Sequence, residues 1–373
     1  MRVFAWRLLK VTFATVYTIV AAEIFLRVLN PVAIVPRYVT ATPYGVRGNE
    51  PNRVYRQVSS EYDIEIRTNS RGIRANEEIP YEKPAGTKRI VILGDSFAMG
   101  YESDLPNTFL ARMQQELAAA GQPVQLVNLA VSGHGNAEEL ITLQEEGLKY
   151  SPDLVLLCWH ASDYSDNIRS GLYALKNGQL VRRNATYLPG VRAQQVLYSL
   201  RPFEWFATHS QAYSFVREFA AMRIAKPALL IVRKALSPST ARGEAEDETG
   251  TKVAPYHREL TVALVKRIEQ LSREHGARFL ILDIPARRSR TEFASVFPQD
   301  EKSGRYDLPV ISPISIFTAN AGPKIYWEKS QGHFTPLGNQ LVGHVLAQAI
   351  IKDNLLGQGA GRAQRDLPGE ARR

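Results

Sequence analysis

Arg89-Ile90-Val91-Ile92-Leu93-Gly94-Asp95-Ser96-Phe97 decides how this chain is read. Four β-branched or leucyl residues in a row, closed by Gly-Asp-Ser, have the length and bounds of a strand buried on both faces, as in a parallel sheet covered by helices. Ser96 then stands at the carboxyl end of that strand. In open α/β sheets ligands bind in the crevice outside that end. A hydroxyl presented there, with Gly94 allowing an unusual turn, is placed to act as a nucleophile. The same tetrapeptide also suits an ordinary strand-to-helix turn with a helix cap.

Two later stretches favour the chemical reading. Asn128-Leu129-Ala130-Val131-Ser132-Gly133-His134-Gly135 follows a second apolar strand, Val124 to Val127, and Ser330-Gln331-Gly332-His333-Phe334-Thr335-Pro336-Leu337-Gly338-Asn339 opens the last apolar helix. Upstream lies Asn69-Ser70-Arg71-Gly72-Ile73-Arg74. In this order the four blocks resemble the SGNH (GDSL-type) hydrolase family, and in particular its bacterial membrane-anchored members. The resemblance runs from about residue 65 to about 350 and is weakest between 170 and 255. It implies an α/β, flavodoxin-like doubly wound parallel sheet and a serine-dependent chemistry on acyl esters.

Composition narrows the classes. A chain of 373 residues with 45% hydrophobic and 22% charged residues can bury a large core, and one enlarged α/β domain fits it better than two equal ones. The lone Cys158 excludes an intramolecular disulfide and a cysteine-based zinc site, and inside an apolar run it reads as a buried small hydrophobe. No His/Asp/Glu cluster has metal-ligand spacing, and no cofactor is expected. The net charge of +9 is spread along the chain without a nucleic-acid motif, so it reads as a basic surface suited to anionic polysaccharide or lipid headgroups.

Arg2, Arg7 and Lys10 precede an uncharged run from Val11 to Ala22, and Glu23 to Leu29 continues it with two charges. Twelve uncharged residues fall short of the roughly 20 that cross a bilayer, but the span from Phe4 to Leu29 suffices if its charges sit at the interfaces. Residues 1–30 are therefore expected to be a signal anchor or transmembrane helix, with the N-terminus cytoplasmic and the remainder periplasmic. A cleaved signal peptide and an amphipathic first helix are the rivals.

Residues 31–88, rich in proline, are expected to be extended structure packed on the domain, with a small antiparallel addition. The hydrolase-like domain is placed at 89–355, with strands 89–93, 124–128, 154–159 and 278–284 and helices near 107–120, 136–149 and 256–275. A helical insertion is placed at about 170–255. Its stripe of Tyr198, Leu200, Phe203, Trp205, Phe206, Tyr213, Phe215 and Phe219 reads first as core, with a lid, an acyl groove or a membrane-resting face as alternatives. Residues 237–252 read as an exposed loop and 356–373 as a disordered tail.

Acyl transfer needs a nucleophile, a base and oxyanion donors. Ser96 is the candidate nucleophile and His333, set in the family's last block, the candidate base; His134, His160, His209, His257, His275 and His344 read as structural or solvated. The resemblance implies oxyanion donors from the N–H groups of Ser96 and Gly133 and from an asparagine after the third strand. That asparagine is replaced here by Ser162, a shorter donor, with Asn167 or His160 as substitutes. The family's aspartate before the histidine is also missing, since Ser330 and Gln331 occupy its positions. Glu328 is the nearest preceding carboxylate and a candidate third member, but the sequence reading favours a Ser96–His333 dyad. The functions in view are an esterase on an acyl ester or acylated glycan of the envelope, an O-acyltransferase to an exopolysaccharide, and a non-catalytic glycan-binding protein.

Overall fold

The computed structural model describes residues 2–30, 32–220, 253–298, 306–320 and 324–357. The loop expected at 237–252 and nearly all of the tail expected at 356–373 lie outside them. Helix α1 (Arg2–Leu29) is followed by two antiparallel hairpins, β1 (Val39–Ala41) with β2 (Arg47–Asn49) and β3 (Val54–Val58) with β4 (Asp63–Arg67). Then come β5 (Lys88–Gly94), α2 (Ser96–Met99), α3 (Phe109–Ala119), β6 (Val124–Asn128), α4 (Asn136–Glu145), β7 (Leu154–Trp159) and α5 (Asp163–Ser170). An excursion through β8 (Tyr173–Lys176), β9 (Gln179–Arg182), α6 (Val191–Tyr198), α7 (Arg201–His209) and α8 (Gln211–Ala220) precedes α9 (Pro255–Glu274) and β10 (Arg278–Asp283). The described chain closes with the short pair β11 (Ala286–Arg287) and β12 (Phe293–Ala294), β13 (Val310–Ile311), α10 (Ile314–Ala319) and α11 (Pro336–Lys352).

The central sheet is parallel, in the order β13-β10-β7-β5-β6. Counted along the chain this is the doubly wound order 2-1-3-4-5, whose topological switch lies between β5 and β7. Alternate residues feed opposite layers. Ile90, Ile92, Leu154, Leu156 and Leu282 face α3 and α11 through Phe109, Met113, Val342 and Leu346. Val91, Leu93, Val155, Leu157 and Ile281 face α4 and α9 through Leu140, Ile141, Leu264 and Ile268. Burial on both faces explains why these strands are continuous apolar runs. Cys158 belongs to this core.

Gly94 is required where β5 ends. A Cβ there would lie 2.6 Å from Ala98 Cβ and 3.1 Å from Cys158 Cβ, so only glycine lets β5 turn into α2 beside β7. The N-terminal region is fastened at the other end of β5 by Arg89, which is fully buried and donates to the carbonyls of Pro80, Tyr81, Glu82 and Tyr150 and to Gln125 Oε1.

The excursion departs from the expectation that its aromatic stripe is core. Tyr198, Phe203 and Tyr213 are half-buried, but Leu200, Trp205, Phe206, Phe215 and Phe219 are exposed. Helical spacing alone does not say what an apolar face packs against.

Candidate active site

The switch point between β5 and β7 collects the polar residues singled out in the sequence. Asp95 follows β5 and caps α2, its Oδ1 accepting from the N–H of Phe97 at 2.8 Å. Ser96 is thereby the first residue of the helix and is half-buried while its neighbours Asp95 and Phe97 are buried. His333, on the loop that leads into α11, approaches from across the sheet: its Nε2 lies 2.8 Å from Ser96 Oγ. The ring is almost fully buried and packs 4.8 Å from the ring of Phe97 and 5.7 Å from that of Tyr101.

The carboxylate at the other ring nitrogen is Glu102. Its Oε2 lies 3.3 Å from His333 Nδ1, within ion-pair distance but too oblique for a good hydrogen bond, and accepts from the His333 N–H at 3.1 Å. Its Oε1 accepts from Tyr62 Oη at 3.0 Å and from the Gln331 N–H at 2.8 Å. Burial pushes this carboxyl up, but the His333 contacts and the two backbone N–H groups outweigh burial and hold it below its ordinary value. With Glu102 Oε2 beside Nδ1 and the serine hydroxyl on Nε2, the arrangement favours the tautomer protonated on Nδ1, which leaves Nε2 to accept from the hydroxyl.

Glu328 therefore does not stand where the sequence placed a third member. It pairs with Arg290 at 2.7 Å, Lys324 at 3.4 Å and Arg287 at 3.5 Å, while its own N–H donates to Glu61. Three cations on a neighbouring rim hold its charge. The carboxylate that lies beside the Ser96–His333 pair is Glu102.

Glu102 is held by unusual means. Its φ of +62° is in the left-handed region, costly for a residue with a Cβ. The turn is fixed by its N–H donating to Gln57 Oε1 at 3.2 Å and its carbonyl accepting from Trp327 Nε1 at 3.1 Å. Arg74, buried, donates to the carbonyls of Met99 at 3.0 Å, Ser103 at 2.6 Å and Gly100. The arginine of the Asn-Ser-x-Gly-x-Arg block is thus a clamp on the loop that carries the acid. Asn69 of the same block shapes the approach by accepting from the N–H groups of Arg71 and Ile73.

Gly133 and Ser162 lie on the flanking turns. Gly133 has φ +77° and is half-buried, and a Cβ there would come 2.8 Å from Arg47 Nη2, whose guanidinium also donates to the Ser132 carbonyl. Ser162 is half-buried after β7, with Oγ 3.1 Å from His160 Nδ1. The His160 ring packs at a tilt 4.9 Å from that of Phe97 and its Nδ1 is 3.7 Å from Asp95 Oδ2, so it belongs to this neighbourhood. Asn167 does not: buried, it donates to Asn136 Oδ1 and Thr261 Oγ1 and accepts from the Ala137 N–H, tying α5 to α4 and α9. Glu139 and Asp163 form a buried polar layer behind the turn, both bridged by Asn136, with carboxyls that burial pushes up.

No family model and no curated protein matches the sequence. Solved structures do match. The likeness is to GDSL-type lipases and acylhydrolases. TesA aligns at 12% identity over 72% of this chain and 100% of its own, with a TM-score of 0.35. A GDSL-like lipase from Bacteroides thetaiotaomicron aligns at 11% over 71% and 89%, with a TM-score of 0.33. A psychrotrophic esterase, EstA from Pseudoalteromonas, aligns at 12% over 72% and 98%, with a TM-score of 0.35. The carboxylate beside His333 comes from the loop after Ser96, whereas the GDSL-type sequence pattern has one shortly before the histidine. The sequence signal for Glu102 was its position six residues after Ser96, in Gly-Tyr-Glu-Ser-Asp. A search backward from His333 passes over it.

Proposed function

We propose that this protein is a serine ester hydrolase in which Ser96 is the nucleophile, His333 the general base and Glu102 the carboxylate that orients the histidine and supports its cation as it forms. The supporting observation is the continuous file from Ser96 Oγ through His333 Nε2 and Nδ1 to a fully buried Glu102. His333 takes the hydroxyl proton as Ser96 Oγ attacks the ester carbonyl, and then gives that proton to the leaving alcohol. Water, deprotonated by the same imidazole, releases the acid and restores Ser96. The N–H groups of Ser96 and Gly133, with the Ser162 hydroxyl, are the proposed oxyanion donors. Glycine at 133 suits this role because no side chain shields its N–H.

The substrate proposed is an acyl ester of the cell envelope. Helix α1 contains a span from Phe4 to Leu29 that is long and apolar enough to cross a membrane. We assign it as an uncleaved anchor, with the domain on the periplasmic side because the positive charges precede the apolar run.

The test is labelling of the full chain, in detergent, by a fluorophosphonate. The proposal expects covalent labelling of wild type and none of Ser96→Ala, with unchanged near-ultraviolet circular dichroism. Equal labelling of the alanine variant would overturn it.

A further inference from the structure

Helix α1 does not end as a free rod. Glu23 accepts at one carboxylate from Ser210 Oγ at 2.7 Å, the Ala212 N–H at 2.9 Å and the Gln211 N–H at 3.1 Å, which caps the N-terminus of α8. One turn on, Arg27 donates to the His209 carbonyl at 2.6 Å and so closes the C-terminus of α7. Gln211 Nε2 donates to Asn30 Oδ1 at 2.8 Å. The face of α1 covered by this corner is Ala22, Glu23, Leu26 and Asn30, and its other residues from Phe4 onward with described side chains are exposed.

The helices fixed at that corner carry the exposed apolar side chains of the excursion. Leu200, Trp205, Phe206, Phe215, Val216 and Phe219 are each between 40% and 63% exposed, a density that marks an interaction surface on a folded domain. Counted from Phe4 at 1.5 Å per residue, about 20 residues cross the hydrocarbon core and arrive at Glu23. The corner is therefore at the level where the chain leaves the lipid. Trp and Phe at such a level are suited to the boundary of headgroup and acyl chain.

We infer that α7 and α8 form a platform that lies on the outer surface of the bilayer crossed by α1, with Trp205, Phe206 and Phe215 inserted at the acyl boundary. The occupant is a phospholipid surface, because the helix that pins the corner is itself the membrane-crossing candidate. This inference rests on α1 being the anchor assigned above. It gives the domain a fixed posture on the membrane, where α1 alone would leave it tethered.

The experiment uses the full chain in phosphatidylethanolamine/phosphatidylglycerol vesicles. Phe206→Cys, Phe215→Cys and, as a control on the sheet domain, Lys149→Cys are labelled with a nitrobenzoxadiazole dye, Cys158 being buried. Doxyl-labelled lipid is expected to quench the dye at 206 and 215 by about twofold and to leave the dye at 149 unchanged. Absence of quenching at 206 and 215 overturns the platform. A blue-shifted, unquenched dye whose shift grows with protein density gives the face to a second copy of the chain, and one independent of density gives it to the chain's own residues; either overturns it. Carbonate extraction and the intact mass are read on the same sample. A chain shortened by removal of α1 overturns the anchor, whereas an intact, extraction-resistant chain with unquenched dyes overturns the platform alone.

Discussion

Tyr62, just before β4 in the N-terminal hairpin, donates its hydroxyl proton to Glu102, which sits beyond the nucleophile strand, at 3.0 Å. The hairpin is thus part of the wall around the Glu102–His333 contact. Its phenol is pushed well above its ordinary pKa by burial and the facing carboxylate, so it stays a donor at all working pH values. Tyr62→Phe removes one hydrogen bond to a charged group and is expected to cost about 2 kcal/mol in urea unfolding. Fluorophosphonate labelling should persist at a reduced rate, since the His333 contacts remain. A variant as stable as wild type would show that the Tyr62 bond contributes nothing.

The relocated acid gives a sharper contrast. Glu102→Gln keeps the shape and removes the charge, and the loss of an orienting carboxylate costs on the order of 10⁴-fold in turnover in serine triads. Glu328→Gln, on the Arg290 rim, should leave kcat within about tenfold, a barrier change near 1.4 kcal/mol. Ester hydrolysis by the two purified variants decides between them. If Glu328→Gln were the more damaging, Glu102 would not be the working acid.

Gly94→Ala would place a methyl against Ala98 and Cys158 at the heart of the sheet. Overpacking of this kind costs about 1–3 kcal/mol, and here a strand end resists the shift. The expected result is a lower midpoint of thermal unfolding together with slower labelling of Ser96, because the β5 turn positions both. A variant with wild-type unfolding and labelling would mean that the turn relaxes freely.

His134 supplies a pH dependence. Burial, followed by the nearby Arg47 charge, pushes its pKa down to about 3, and its Nε2 meets the Arg47 carbonyl at 2.7 Å. The folded state therefore binds fewer protons than the unfolded chain between about pH 3 and 6.5, so this residue's contribution is complete above about 6.5 and is lost as pH falls. At pH 5 the loss is about 2 kcal/mol. His134→Asn should flatten the dependence of unfolding on pH between 7 and 5. An unchanged slope would place the acid sensitivity elsewhere.

The sheet was legible because burial on both faces leaves an unmistakable mark: Ile90 to Leu93 and Leu154 to Trp159 are apolar at every position, and the turn after β5 admits only glycine. The meeting of Ser96 and His333 was legible from the blocks around them, though 237 residues separate the two. Glu102 was not, because a carboxylate reaches a histidine through space, and its approach depends on a left-handed turn held by Gln57, Trp327 and Arg74 that local sequence does not announce. Asn167 misled for the opposite reason: an amide near the third strand serves equally well to tie helices. The aromatic helices were ambiguous in principle, since a lipid-facing stripe and a core-facing stripe share one period.

In the proposed triad, an acid on the nucleophile's side also changes how the site comes apart. Ser96 and Glu102 ride on one short segment braced by Arg74, and the imidazole arrives alone on the loop before α11. In a triad whose acid shares the histidine's loop, a shifted loop keeps its ring aligned and loses only the serine. Here the same displacement strips the ring of hydroxyl and carboxylate together, so the loop from Tyr326 to His333 works as the single latch of the centre.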